Sequence, residues 1–220
     1  MERLKNFKIF RRKVAPINED YAEFVEKKIP VIWVMSPENC GNSTISSMLS
    51  ECSKFQLIEI DKLLKVYSVR YANNPEVIHI NRCLEREMPV PCQILIKALK
   101  EEILMSFRYV EGFIISGFPC THSQAKLFVR KICAVSVIVH INLKLDAYLT
   151  RVLFYDSKTD INKARINFIK YNRKLQPVRK NYEDKIVSVK CVYPKEDAVT
   201  RLLDILEDDY GFKFKRLYTK

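Results

Sequence analysis

The sequence predicts a doubly wound α/β domain, a central parallel five-stranded sheet with helices on both faces. Three observations carry this expectation. Short apolar runs rich in β-branched residues recur along the chain. Most are continuous rather than alternating, as strands covered on both faces must be. Helical patterns fill the gaps between the runs. With 220 residues, 48% of them hydrophobic and 29% charged, the chain can bury one large core. Right-handed crossovers in such a sheet leave a ligand crevice at the carboxyl ends of the strands.

Taken in order, residues 1–28 read as a basic extension. In MERLKNFKIFRRKV, Arg3, Lys5, Lys8, Arg11, Arg12 and Lys13 face the single acid Glu2. Leu4, Phe7, Phe10 and Val14 line up as an apolar stripe if the segment is helical. The first strand is expected at Val31–Met35, followed by the small-polar loop SPENCGNST and a helix over 43–55. A strand at 57–60 and a helix at 62–71 come next. Pro91 suits the first turn of a helix that runs on through QILIKALKEEILMSF, because its missing N–H would be unpaired there anyway. Strands at 113–116, 135–141 and 186–192 alternate with helices at 121–131, 145–155, 162–185 and 195–207. The main domain is placed at 29–207 and a basic tail at 208–220.

Composition bounds the function classes. Seven scattered cysteines, with no C-x-x-C pair, argue against a zinc site or a disulfide framework and for reduced thiols in a cytoplasmic or nuclear compartment. No apolar run is long enough to span a bilayer, and the N-terminus lacks the apolar core of a secretory signal. A mitochondrial presequence is disfavoured by Glu2 and by the absence of serines. The net charge of +12 and the acid-poor stretch NKARINFIKYNRKLQPVRKNYEDK favour polyanionic partners: nucleotide, nucleic acid or an acidic surface. Aromatics interleave with charge in FIKYNRK and FKFKRLYTK, which keeps a nucleic-acid-binding alternative in view. The histidines are isolated, and no metal site is expected.

Two loops at strand ends, SPENCGNST and SGFPCTHSQ, together resemble the nucleoside monophosphate kinases of the adenylate kinase and uridylate–cytidylate kinase family, over roughly residues 29–207. The resemblance implies a P-loop NTPase-like fold, with monophosphate-binding helices at 61–90 and a lid cut down to about 155–161. The family's GGPGSGKGT loop falls on Asn39, Cys40, Gly41, Asn42, Ser43 and Thr44, with Asn42 in place of the lysine. Asn39 can adopt the left-handed conformation usual for glycine there. The D-G-[FY]-P-R signature becomes Ser116, Gly117, Phe118, Pro119 and Cys120, and Gln124 falls on the glutamine that reads the base. EMPVP supplies Val90 and Pro91 on the base side, and Lys65 of KLLK replaces a phosphate-binding arginine. In YLTRVLFY, Arg151 matches the arginine beside the donor base and Tyr155 replaces a catalytic one; Asn167 falls on another.

These positions imply a nucleotide-binding pocket for ATP that has lost its catalytic groups, in a monomeric protein. With Ser116 in place of an aspartate, magnesium is not supported. An active but divergent kinase would need relocated cations, for which Lys65, Lys158, Lys163 and Arg165 are the candidates. A silent scaffold recognised by a protein partner is the other implication. Cys40 and Cys120 are expected to approach each other at the crevice.

Overall fold

A computed structural model describes residues 17–86, 88–190 and 195–217. Among them five strands, β1 (Val31–Met35), β2 (Phe55–Glu59), β3 (Gly112–Ser116), β4 (Val137–Asn142) and β5 (Ile186–Lys190), form one sheet in the order β2-β3-β1-β4-β5. Every pairing is parallel. β1 is buried at all five positions, which is why VIWVM shows no alternation.

The helices are α1 (Ile17–Lys27), α2 (Asn42–Glu51), α3 (Ile60–Arg70), α4 (Pro75–Glu85), α5 (Cys92–Ser106), α6 (His122–Lys131), α7 (Leu145–Tyr155), α8 (Ile161–Asn181) and α9 (Lys195–Tyr210). Two apolar clusters fill the layers. One gathers Trp33, Phe107, Phe118, Phe128, Leu175 and neighbours. The other gathers Ile32, Leu49, Val139, Leu149, Leu202 and Leu206 on the opposite face. Trp33 stands at the centre of the first, edge-on to Phe118 and Phe128 with centroids 5.2 Å away. The doubly wound α/β class is the one observed.

Several boundaries differ from the sequence expectation. The second helix stops at Glu51, where Cys52 donates its N–H to Met48 O at 3.1 Å. β2 then starts at Phe55, whose carbonyl accepts from Ser50 Oγ at 3.0 Å. α8 ends at Asn181 rather than 185, and Glu183–Lys185 form a 3-10 turn that leads into β5. α9 runs on to Tyr210, where Gly211 takes a positive φ of 70°. α4 has Pro75 in its first turn and is capped by Asn74, which accepts from Glu76 N at 2.9 Å.

Both ends of the domain reach further than the sequence boundaries at 28 and 207. α1 buries Phe24 edge-on to Phe107 at 5.8 Å, and Tyr21 donates its hydroxyl to Ile132 O at 3.0 Å. Arg108 ties it further through Asp20 (2.6 Å) and Glu23. At the other end, Phe212 and Phe214 pack on Phe55 at 5.7 and 6.3 Å, and Lys215 N donates to Cys52 O at 2.7 Å. The apolar stripe of the first 14 residues, Glu87 of EMPVP and residues 191 and 192 of the fifth run lie outside the described residues.

Candidate functional site

The carboxyl ends of β1 and β3 lie side by side, with Val34 in register with Ser116. The loops that leave these two ends build the crevice. After β1 the chain buries Ser36 and Cys40 but leaves Glu38 and Asn39 exposed. Asn39 (φ 59°) and Gly41 (φ 91°) both adopt the left-handed conformation, so the loop curls back before α2 begins. At the start of α2 the first backbone N–H groups have no carbonyl a turn earlier to donate to, and the helix dipole leaves this end positive.

Asn42, the first residue of α2, stands at the site's pivot. Its Nδ2 lies 3.5 Å from where a Cβ on Gly117 would sit, so its amide rests against the loop after β3. Its Oδ1 is buried without a hydrogen-bond partner. Gly117 has φ 78° and donates its N–H to Val34 O at 2.9 Å, which holds the two loops together. Ser116 is buried at the end of β3.

Gln124 is buried in the first turn of α6. Its Oε1 accepts from the Cys120 N–H at 2.7 Å, while its own N–H donates to Thr121 Oγ1 at 3.2 Å. The pair closes a side-chain box over the start of α6. Val90 is likewise part of the core.

Tyr171, on α8, completes the crevice wall. Burial pushes its phenol well above the ordinary range, and Cys120 and Cys40 push in the same direction. Both cysteines therefore act electrostatically on this one phenol from the two crevice loops. Cys120 reaches solvent at its edge and donates its thiol to Gly117 O at 3.2 Å. Desolvation by the crevice walls pushes that thiol up; Asp61 and Glu38 push the same way, and Lys174 pulls it down. Two carboxylates and one ammonium thus set the local field. Sequence reasoning did not single out Asp61, Lys174 or the role of Tyr171. Lys174 was detectable in principle, three residues beyond Tyr171 on one helix face.

The remaining residues of the sequence expectation spread around this centre. Ser43 and Thr44 are exposed on the outer side of α2, where they line a polar cleft of about 540 Å³ with Ser47, Glu51, Glu59, Lys62 and Lys195. Lys65 is exposed on α3, Arg151 is half-buried on α7, and Tyr155 and Asn167 are exposed. The segment expected as a shortened lid forms a turn between α7 and α8: Asp156 accepts from Lys158 N and Thr159 Oγ1, both at 3.0 Å, and Asp160 caps α8. No group of His, Cys, Asp or Glu among the described residues could hold a metal ion. Ser116, buried at the end of β3, carries a hydroxyl and no carboxylate.

No family model matches the chain. Among curated proteins, adenylate kinase isoenzyme 5 of Bos taurus is 26% identical over 127 residues, 58% of this chain and 22% of that protein. Adenylate kinase 2 of Plasmodium falciparum (isolate 3D7) is 25% identical over 186 residues, 77% of this chain and 67% of that protein. Adenylate kinase 8 of Rattus norvegicus is 26% identical over 125 residues, 56% of this chain and 25% of that protein. The chain is adenylate kinase-like. It spans about a fifth of the isoenzyme 5 protein that it matches, 22% of its length. The all-parallel five-stranded sheet flanked by helices agrees with the likeness in sequence.

Proposed function

We propose that this adenylate kinase-like protein holds a nucleotide without transferring its phosphate at an appreciable rate. The observation that carries the reading is Asn42. Where the resemblance expects a mobile lysine over the transferred phosphate, a neutral amide lies against the Gly117 loop instead. Phosphoryl transfer depends on positioning and on cations that stabilise charge on the migrating group. Loss of one such donor lowers the rate by roughly 10²–10³ and loss of a critical arginine by about 10³–10⁵. Here Asn42, Cys120, Tyr155 and Asn167 stand at cation positions together, while Glu38 and Asp61 bring negative charge to the crevice.

What supports retained binding is the backbone. The left-handed Asn39 and Gly41 shape a concave turn, and the start of α2 presents N–H groups to an anion. Arg151 and Lys65 are the side chains proposed beside the nucleobase and the acceptor phosphate. No disulfide joins the described cysteines, which fits a reducing, cytoplasmic setting. No described helix is long and apolar enough to cross a membrane.

Lys174 favours a second reading, a divergent and active kinase, because its charge acts on Cys120 where the acceptor-side arginine is expected. Calorimetric titration with ATP, ADP and AMP, with turnover measured on the same samples, separates the two. Nucleotide heat with no phosphate moving to AMP, CMP or UMP supports the silent binder; robust wild-type turnover overturns it.

A further inference from the structure

We infer that the outer face of the α7–α8 hairpin is a docking surface for an anionic lipid membrane. The acidic turn at its tip is followed by the 21-residue α8, whose sequence INKARINFIKYNRKLQPVRKN carries seven Lys and Arg and no acid. With roughly 100° per residue, Ile166, Ile169 and Arg173 fall opposite the buried Ala164, Leu175 and Val178. Ile166 is 50% and Ile169 54% exposed. Lys163 and Lys170 flank that stripe on one side and Arg165 on the other, all exposed. At the tip, Phe154 is 84% and Tyr155 64% exposed, their rings edge-on at 5.8 Å.

Two exposed isoleucines flanked by cations on α8, with two exposed rings at the end of α7, form an amphipathic surface rather than a merely solvated one. Charge complementarity selects an anionic partner. The aliphatic stripe selects lipid over nucleic acid: bases stack on rings and guanidinium planes, whereas isoleucine has no such face and gains by entering the headgroup–acyl boundary. The cationic side chains have stems long enough to cover the apolar stripe while their heads meet lipid phosphates. Tyr171 points from the other side of α8, so this contact leaves the crevice open.

The test is flotation of the full chain with vesicles of phosphatidylcholine alone and of phosphatidylcholine with roughly a third phosphatidylserine. Wild type is expected to float with the anionic vesicles only, and less so as salt rises. Ile166→Ser with Ile169→Ser should weaken the partition at least about tenfold. Lys170→Gln and Arg173→Gln should each weaken it about five-fold. The thermal midpoint and circular dichroism of each variant confirm its fold. No flotation by folded wild type at low salt overturns the inference, as does flotation that these variants leave unchanged. It also falls if the isoleucine substitutions abolish only self-association in sedimentation, or if binding to single-stranded polynucleotide competes flotation away and resists those substitutions.

Discussion

Replacing Gln124 with alanine would strip the Cys120 N–H of the oxygen that it meets at 2.7 Å. A buried donor left unpaired costs about 1–3 kcal/mol, and chemical denaturation should show a loss of that size. An unchanged midpoint would mean that water replaces the side chain there. Asn42→Lys probes the neighbouring position. Restoring the cation should tighten ATP at least several-fold by calorimetry, since the ammonium would face a polyphosphate. Turnover should stay low, because Cys120, Tyr155 and Asn167 still lack charge. His140 supplies a pH dependence. Burial, aided by Arg179, lowers its pKa to about 4, below the unfolded value of about 6.5. The unfolded chain therefore binds more protons between these values, so stability is fully present above pH ~6.5 and falls as pH drops toward 4. The loss is on the order of 3 kcal/mol. Denaturation midpoints across that range should slope for wild type and flatten for His140→Leu.

At the scale of elements, β2 and β3 meet through a missing side chain. A Cβ on Gly112 would sit 2.5 Å from the Phe55 ring, so Gly112→Ala must displace that ring. Overpacking of this kind costs about 1–3 kcal/mol, and a partner change Phe55→Leu should recover part of it, as a double-mutant cycle would measure. The strands were legible in the sequence because a parallel sheet buried on both faces leaves continuous β-branched runs. α1 was less so. Its tertiary anchors are few, chiefly Tyr21 and Phe24, and it follows a segment whose charge drew the reading toward an extension. The end of α2 was misplaced because Cys52, Ser53 and Lys54 carry no strong stop signal, and the turn is fixed by side-chain bonds such as Ser53 Oγ to the Phe55 N–H at 3.2 Å.

Across the whole molecule, the chain closes on itself at its C-terminal end. Phe212 and Phe214 cover Phe55, and Arg216 pairs with Asp204 at 2.7 Å and with Glu207. Removing residues 212–217 exposes that contact and should lower stability by roughly 2–4 kcal/mol, visible as an earlier thermal transition. The FKFKRLYTK stretch thus serves packing in its described part, as interleaved aromatics commonly do. The candidate site was legible in its loops, where order and spacing name Gly41, Asn42, Gly117 and Gln124. It was less legible in its walls: Asp61 on α3 and Tyr171 on α8 are distant in sequence and are gathered only by the fold, and Lys174 stands out only once Tyr171 is placed.

Trp33, the single tryptophan, is fully buried with its ring against Phe118, a residue of the loop after β3. Its indole N–H has no hydrogen-bond partner, so the chromophore sits in an apolar cage whose wall belongs to the crevice. Intrinsic fluorescence should therefore be blue-shifted in the folded chain, and any occupant that moves the Phe118 loop should alter its intensity. The protein carries its own optical reporter, needing no label, for whatever enters the site.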